Sequence, residues 1–174
     1  ASGRGRPRVL YEAMADSAPP AQGGYRLLAQ ILASYLASTD QPQKGAEGAG
    51  RAWGRYLTET AQPFAEISAS EATEKIVVLF TELGFMPEAV EEANETKVLL
   101  HRCPFREVAE SNQEVVCSVH LGMLRGALAE MGAPMEAVGL EPFVEPTLCV
   151  AHLRDLPRPT RGSMARAGKR SEVA

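Results

Sequence analysis

Near Gly84 the spacing of the apolar residues changes, and that change decides what kind of fold the chain can adopt. Before it, apolar side chains recur three and four apart, the helical signature; after it, short strand-like runs bounded by turn residues flank one long helical stretch. The spacing predicts a first helix over about Tyr25 to Ser38, with Leu28, Ile31, Leu32, Tyr35 and Leu36 on one apolar face. Asp40-Gln41-Pro42 breaks it. A weaker helix is expected over about 44–61, with Trp53, Tyr56 and Leu57 on one side and Gly45, Gly48, Gly50 and Gly54 weakening its first half. A third begins after Ser70 as N-cap, carries Glu71 and Glu74 in its first turn, buries Ile76, Val77, Leu79, Phe80 and Leu83, and stops at Gly84.

Beyond Gly84, Met86–Glu92 and Thr96–Arg102 read as a hairpin turning at Ala93-Asn94-Glu95, with Pro104 ending its second strand. A helical turn at 105–111 leads to a long helix over about Gln113 to Met131, closed by Gly132 with Pro134 behind it. Met135–Leu140 and Thr147–Leu153 form a second strand pair. Helices, hairpin, helix, hairpin is the order of an α+β domain: an antiparallel sheet packed against helices. The division expected is a trailing strand and linker at 1–16, a sensor domain at 17–155, and a basic disordered tail at 156–174.

Of the 174 residues 45% are apolar and 23% charged, ordinary for a globular core, and no run is long enough to cross a bilayer. The net charge of −4 argues against a surface that is one nucleic-acid platform. The charge is uneven: Arg4, Arg6 and Arg8 open the chain, Arg154 to Arg170 close it, and Glu88, Glu91, Glu92 and Glu95 make the middle acidic. Three cysteines, an odd number spaced unlike a secreted disulfide scaffold, and no signal-peptide apolar region point to the cytoplasm.

Those cysteines are the one concentrated chemical signal. Thirteen residues separate Cys103 from Cys117 and thirty-one separate Cys117 from Cys149. Such gaps let a strand end, a helix and a second strand converge, and thiolates are favoured ligands of zinc and of iron–sulfur clusters. His120, three residues after Cys117 on the same helix face, or His101, two before Cys103, would supply a fourth ligand more readily than His152. The other reading of the same residues is three buried, inert thiols. Cys117 with His120 as nucleophile and base finds no recognisable oxyanion hole, so no enzyme is expected. Gly3-Arg4-Gly5-Arg6-Pro7-Arg8 suits a narrow DNA minor groove, or is simply a basic end.

The run Leu99-Leu100-His101-Arg102-Cys103-Pro104-Phe105-Arg106-Glu107-Val108-Ala109, the second cysteine in Glu114-Val115-Val116-Cys117, and the third in Thr147-Leu148-Cys149 resemble a known pattern. It is that of the sensor domain of ArsR/DeoR-like winged-helix regulators, a group that includes the iron–sulfur cluster biogenesis repressor. Gly5-Arg6-Pro7-Arg8-Val9-Leu10-Tyr11 resembles the strand trailing that family's wing. The resemblance runs over about 74–153 plus this stub. It implies a [4Fe–4S] cluster on Cys103, Cys117 and Cys149, with His120 or a weaker fourth ligand; the alternative, from the donors themselves, is a zinc-stabilised structural or small-ligand-binding regulatory domain with no redox role. It further implies a repressor that acts as a homodimer on DNA through a winged-helix domain absent from this chain, with Arg4, Arg6 and Arg8 as DNA contacts and no membrane partner. Cluster loss would then shift dimer geometry and DNA affinity. The first helix and Val9-Leu10-Tyr11 are the surfaces such a dimer would use.

Overall fold

The computed structural model describes residues 20–60, 66–93 and 95–157. Five helices, α1 (Pro20–Ala37), α2 (Pro42–Tyr56), α3 (Ala69–Glu82), α4 (Arg106–Ala109) and α5 (Gln113–Glu130), accompany four strands. These are β1 (Pro87–Glu92), β2 (Glu95–Leu100), β3 (Met135–Glu145) and β4 (Leu148–Asp155). The strands form one antiparallel sheet in the order β1-β2-β4-β3, so the two hairpins meet through β2 and β4 at its centre. The α+β class read from the sequence is the fold observed.

Local chemistry sets the element ends. Ser68 and not Ser70 caps α3: its backbone is extended and its Oγ accepts the Glu71 N–H at 3.1 Å. Gly84 and Gly132 stand at φ +89° and +64°, a left-handed turn that glycine enters without strain. In both, the next N–H reaches back to the last turn, Phe85 to the Phe80 carbonyl and Ala133 to the Leu128 carbonyl, each at 3.0 Å.

The core lies between the sheet and a helical layer of α3 and α5. Ile76 and Phe80 from α3, Leu124 and Leu128 from α5, and Val98, Leu100 and Leu153 from the two central strands are all fully buried. Each such side chain contributes about 1.5–3 kcal/mol relative to exposure. On β2 the inward residues are Thr96, Val98 and Leu100, every second position, as a sheet with one covered face requires. β3 departs from regular register twice, and the bulge between Glu141 and Glu145 holds Phe143 at φ +50°. That bulge turns Phe143 against both the main core and a smaller cluster beneath α1.

α2 is a second helical layer, outside α5, and the contact between them is between backbones. A Cβ built on Gly50 would stand 2.1 Å from the Val119 carbonyl oxygen, and one on Gly54 2.2 Å from that of Met123. From the other side, Gly122 and Gly126 would meet the carbonyl oxygens of Glu47 and Arg51 at 2.2 and 2.1 Å. Glycines four apart on each helix face each other, and no other residue type permits that separation. The glycines that weaken a helix forecast by propensity are the reason α2 is where it is. The side that carries Trp53, Tyr56 and Leu57 is the outer one: all three are exposed, and Ala46, Gly50 and Gly54 turn inward. Arg125 fastens the assembly, donating to the Ala137 carbonyl of β3 at 2.8 Å and pairing with Glu47 of α2 at 2.8 Å. The Arg125 hydrogen bond, joined by one from Arg51, holds the Glu47 carboxyl below its ordinary pKa against the opposing effect of burial.

In α1 the expected apolar face points outward. Leu28, Ile31, Leu32 and Tyr35 are exposed, whereas Ala33 is buried and Ala29 and Leu36 are partly so. The helix faces inward with its small residues, and this shapes the site described next.

Candidate functional site

Helix α1 lies across α4 and the first half of α5 without sealing against them, and leaves a cleft of about 280 Å³. Its roof is Ala29, Leu32, Ala33 and Leu36, all from α1. One wall is Phe105, at the N-cap of α4, with Val108. The floor is the face of α5 that carries Val115, Val116, Val119, His120 and Met123. Two alanines in the roof hold the gap open, because Leu or Phe at either position would fill it. The β-branched valines are stiff at χ1, so the floor has a fixed shape.

His120 is the single polar side chain of that lining. The residue is 3% exposed, and its Nε2 has no hydrogen-bond partner. Phe85 meets the ring edge to face at 5.1 Å, and Phe105 lies tilted against it at 5.6 Å, so the imidazole orientation is fixed by aromatic packing. Burial pushes its pKa from 6.5 down to about 4, which keeps the ring neutral at physiological pH. A buried, unpartnered nitrogen costs about 1–3 kcal/mol. Folding tolerates that cost here, and nothing in the surrounding core uses the atom.

The larger cavities differ in kind. One of about 490 Å³ is lined by Arg51, Arg125 and Glu136 beside β3, and the Arg125 guanidinium there is already engaged by Glu47 and by the Ala137 carbonyl. Another of about 570 Å³ runs past Glu59, Glu71, Glu74, Lys75 and Glu82 on the surface. Neither leaves a buried polar atom without a partner.

The three cysteines come from three elements and are electrostatic neighbours: Cys103 follows β2, Cys117 is on α5, and Cys149 is on β4. Burial raises the Cys103 thiol, and burial reinforced by Cys149 and Cys103 pushes Cys117 up to about 12. Cys149 is buried and its Sγ accepts the Phe143 N–H at 3.4 Å. Among the described residues, no group of three or more His, Cys, Asp and Glu side chains is arranged to hold a metal ion. The donor chemistry agrees. A metal needs thiolates, and burial at Cys103 and Cys117 favours the protonated form, outweighing the Arg106 charge beside Cys103. His120 is packed against two phenyl rings that also touch each other, Phe85 and Phe105. His101 contacts Glu88 at 2.9 Å. His152 lies between Glu95, at 2.6 Å from Nδ1, and Glu141, at 3.2 Å from Nε2 but off the hydrogen-bond direction. The residues present do not fit a [4Fe–4S] cluster or a zinc ion.

Arg4, Arg6 and Arg8, the trailing strand at Val9-Leu10-Tyr11, and all but the first two residues of the 156–174 tail lie outside the described residues. Among the described residues, no helix is long and apolar enough to cross a membrane.

No family model matches the chain, and no curated protein matches it. Among solved structures it is similar to trafficking protein particle complex subunit 3 from Naegleria fowleri, a protein covalently bound to palmitic acid in that structure. The TM-score is 0.48 at 14% identity, over 78% of this chain and 97% of that one. The expected kinship with the iron–sulfur biogenesis repressor group is corrected: no family model matches the chain, and among the described residues the cysteines are not arranged to hold a metal ion. With it fall the metal-sensing, DNA-binding and repressor reading and the homodimer on DNA, since no metal-holding group is present among the described residues. The Cys-Pro-Phe segment that suggested the kinship has a structural role here. Pro104 packs near Gly84 where α3 ends, and Phe105 opens α4 and walls the cleft.

Sequence reasoning had not singled out the cleft. Its signal was the pair of small residues, Ala29 and Ala33, four apart on the inward side of a helix otherwise rich in Leu, Ile and Tyr.

Proposed function

We propose that this domain is a binding module for a small apolar ligand, held in the cleft between α1, α4 and α5. The observation that carries the reading is the lining: a concave site whose wall is apolar from three helices and contains one polar side chain. Ligand sites combine just these features, largely apolar walls with a few placed polar groups. At about 280 Å³ the cleft is near the lower end of the range for such sites, which favours a ligand of one ring or a short chain. Binding would bury apolar surface now lined on one side only, including half-exposed Leu32 and Phe105.

In this reading the domain binds and does not catalyse. The cysteines, the obvious nucleophiles, sit where burial favours the protonated thiol, the opposite of what an activated thiolate needs. Three unpaired cysteines fit a reducing compartment, and we assign the protein to the cytoplasm on that ground.

The test is isothermal titration with ethylbenzene. Wild type is expected to bind one equivalent with a millimolar or tighter dissociation constant and a negative heat-capacity change. Ala33→Phe, which places a ring in the roof of the cleft, is expected to abolish the heat while retaining native circular dichroism. Saturable binding that survives Ala33→Phe unchanged, or no binding to wild type, would overturn the proposal.

A further inference from the structure

The cleft is roofed by a helix that is tied down near its two ends and hardly buried in between. Among the described side chains of α1 only Ala33 is buried, with Ala29, Gln30 and Leu36 partly so. One side-chain contact ties its N-terminal half to the rest of the fold: Arg26 Nη1 donates to Glu107 Oε2 of α4 at 2.7 Å. Among the described residues no other hydrogen bond or ion pair joins α1 to another element. We propose that α1 is a lid over the cleft, hinged at its C-terminal end and latched by the Arg26–Glu107 pair, and that opening of the latch sets how fast a ligand enters and leaves. This rests on the cleft being a ligand site, and it names how access to that site is regulated.

Latch, roof and hinge follow one another along the helix. Arg26 and Leu36 are ten residues apart, about 15 Å at the α-helical rise, and the roof residues Ala29, Leu32 and Ala33 lie between them. At the hinge end Leu36 lies over Gly45 of α2, where a Cβ would stand 3.3 Å from the Leu36 Cδ1. The helix ends there, with Ser38 Oγ and Thr39 Oγ1 donating back to the Tyr35 and Leu36 carbonyls at 2.7 and 2.8 Å. Helix α2 begins at Pro42 and is held on α5 by the facing glycines, so the pivot stands on a fixed helix. The latch end has no such anchor: Tyr25, Leu27 and Leu28 beside Arg26 are all exposed.

Passage into the cleft needs the roof to lift. Val108, Val115, Val116 and Met123 beneath it are buried while α1 is in place, so a ring-sized molecule reaches them only when the helix moves. Lifting costs little. Segments with few buried apolar contacts open first, and Leu28, Ile31 and Tyr35 face solvent in the closed form already. An exposed ion pair adds little to the stability of a whole fold, but it is a sizeable part of what holds a segment so lightly buried. Neither Arg26 nor Glu107 lines the cleft, so losing the pair raises the open population and leaves the contacts to a bound ligand unchanged. Entry and exit then quicken by the same factor, and the dissociation constant stays where it was. A pair that shaped the site would change the constant instead.

The experiment compares wild type, R26E, E107R and the double swap R26E/E107R. Backbone hydrogen exchange is followed across α1, α2 and α5 without ligand, and association and dissociation rates of ethylbenzene are taken from the methyl line shapes of Val115 and Val116. Each single reversal is expected to speed exchange in α1 and both ligand rates by about threefold to tenfold, as an exposed attraction becomes a repulsion. The dissociation constant and the exchange of α2 and α5 are expected to stay unchanged, and the double swap to return all rates to within about twofold of wild type. Added salt is expected to quicken wild type and to slow the single reversals, because it screens an attraction in one and a repulsion in the others. If ethylbenzene binds but α1 exchange and ligand rates are the same in all four proteins, or the dissociation constant moves in place of the paired rates, the cleft is a ligand site and the latch is wrong. If ethylbenzene does not bind wild type, the ligand-site reading fails and the gating role with it, whatever the hydrogen exchange of α1.

Discussion

Helix α5 has two faces, and they were built by opposite means. Toward α2 it presents Gly122 and Gly126, and the partner helix answers with Gly50 and Gly54, so the two backbones touch and no side chain fits between them. Toward α1 it presents Val115, Val116, Val119 and His120, and the partner answers with Ala29 and Ala33, so a space remains. The closed face serves rigidity: Arg125 and Glu47 bridge it, and α5 is thereby fixed against the sheet. The open face inherits that fixed position. A cleft keeps its shape only when at least one wall cannot move, and the glycine contact supplies the immobile wall.

The contrast breaks most readily at the glycines. Gly126→Ala is expected to destabilise the fold by about 3 kcal/mol or more, because its Cβ collides with backbone and not with the end of a flexible side chain. Gly48→Ala is the counterpart on the same layer: a Cβ there meets nothing within 4 Å, and the substitution should stabilise α2 by about 0.5–1 kcal/mol through helix propensity. Urea denaturation of both variants reads the two signs. Equal effects would mean that the close approach is not what holds α2.

The open face makes an intermediate prediction, through pH. An unfolded histidine takes up a proton near pH 6.5, whereas His120 in the fold does so only near 4. Between those values the unfolded chain holds more protons, so acid favours unfolding. The contribution of neutral His120 is therefore complete above about pH 6.5 and is lost as pH falls toward 4, at up to about 1.4 kcal/mol per pH unit. H120F should remove this slope and be at least as stable as wild type at pH 7, since it deletes an unpartnered nitrogen and keeps the ring. The check is denaturant midpoints for the two proteins across pH 4 to 7; parallel curves would show that His120 is not buried neutral.

The two faces were unequally legible in the sequence. The fold class, the order of elements and the glycine stops at Gly84 and Gly132 follow from periodicity and turn chemistry, which are local. The α2 contact was visible as glycines but read through propensity alone, as weakness, because their meaning depends on a matching pair seventy residues away on α5. On α1 the eye follows Leu28, Ile31, Leu32 and Tyr35, the residues the fold leaves outside. Hydrophobic periodicity reports an apolar stripe, not which stripe is covered. The cysteines show the same limit from the chemical side. Their spacing allows them to become neighbours, and they do, but whether neighbours are ligands depends on thiolate stability, and burial opposes it at Cys103 and Cys117. His120 was singled out by its distance from Cys117, whereas its surroundings are Phe85 and Phe105.

The deciding question is whether the open face of α5 receives a ligand while the closed face does not. Methyl-resolved NMR during titration with ethylbenzene addresses both faces at once. Saturable shifts are expected at Val115, Val116, Val119, Leu32 and Leu36, with the methyls of Leu124 and Leu128 on the core side unmoved. Shifts confined to exposed Leu27, Leu28 and Ile31, or spread evenly over the core, would contradict a ligand at the open face.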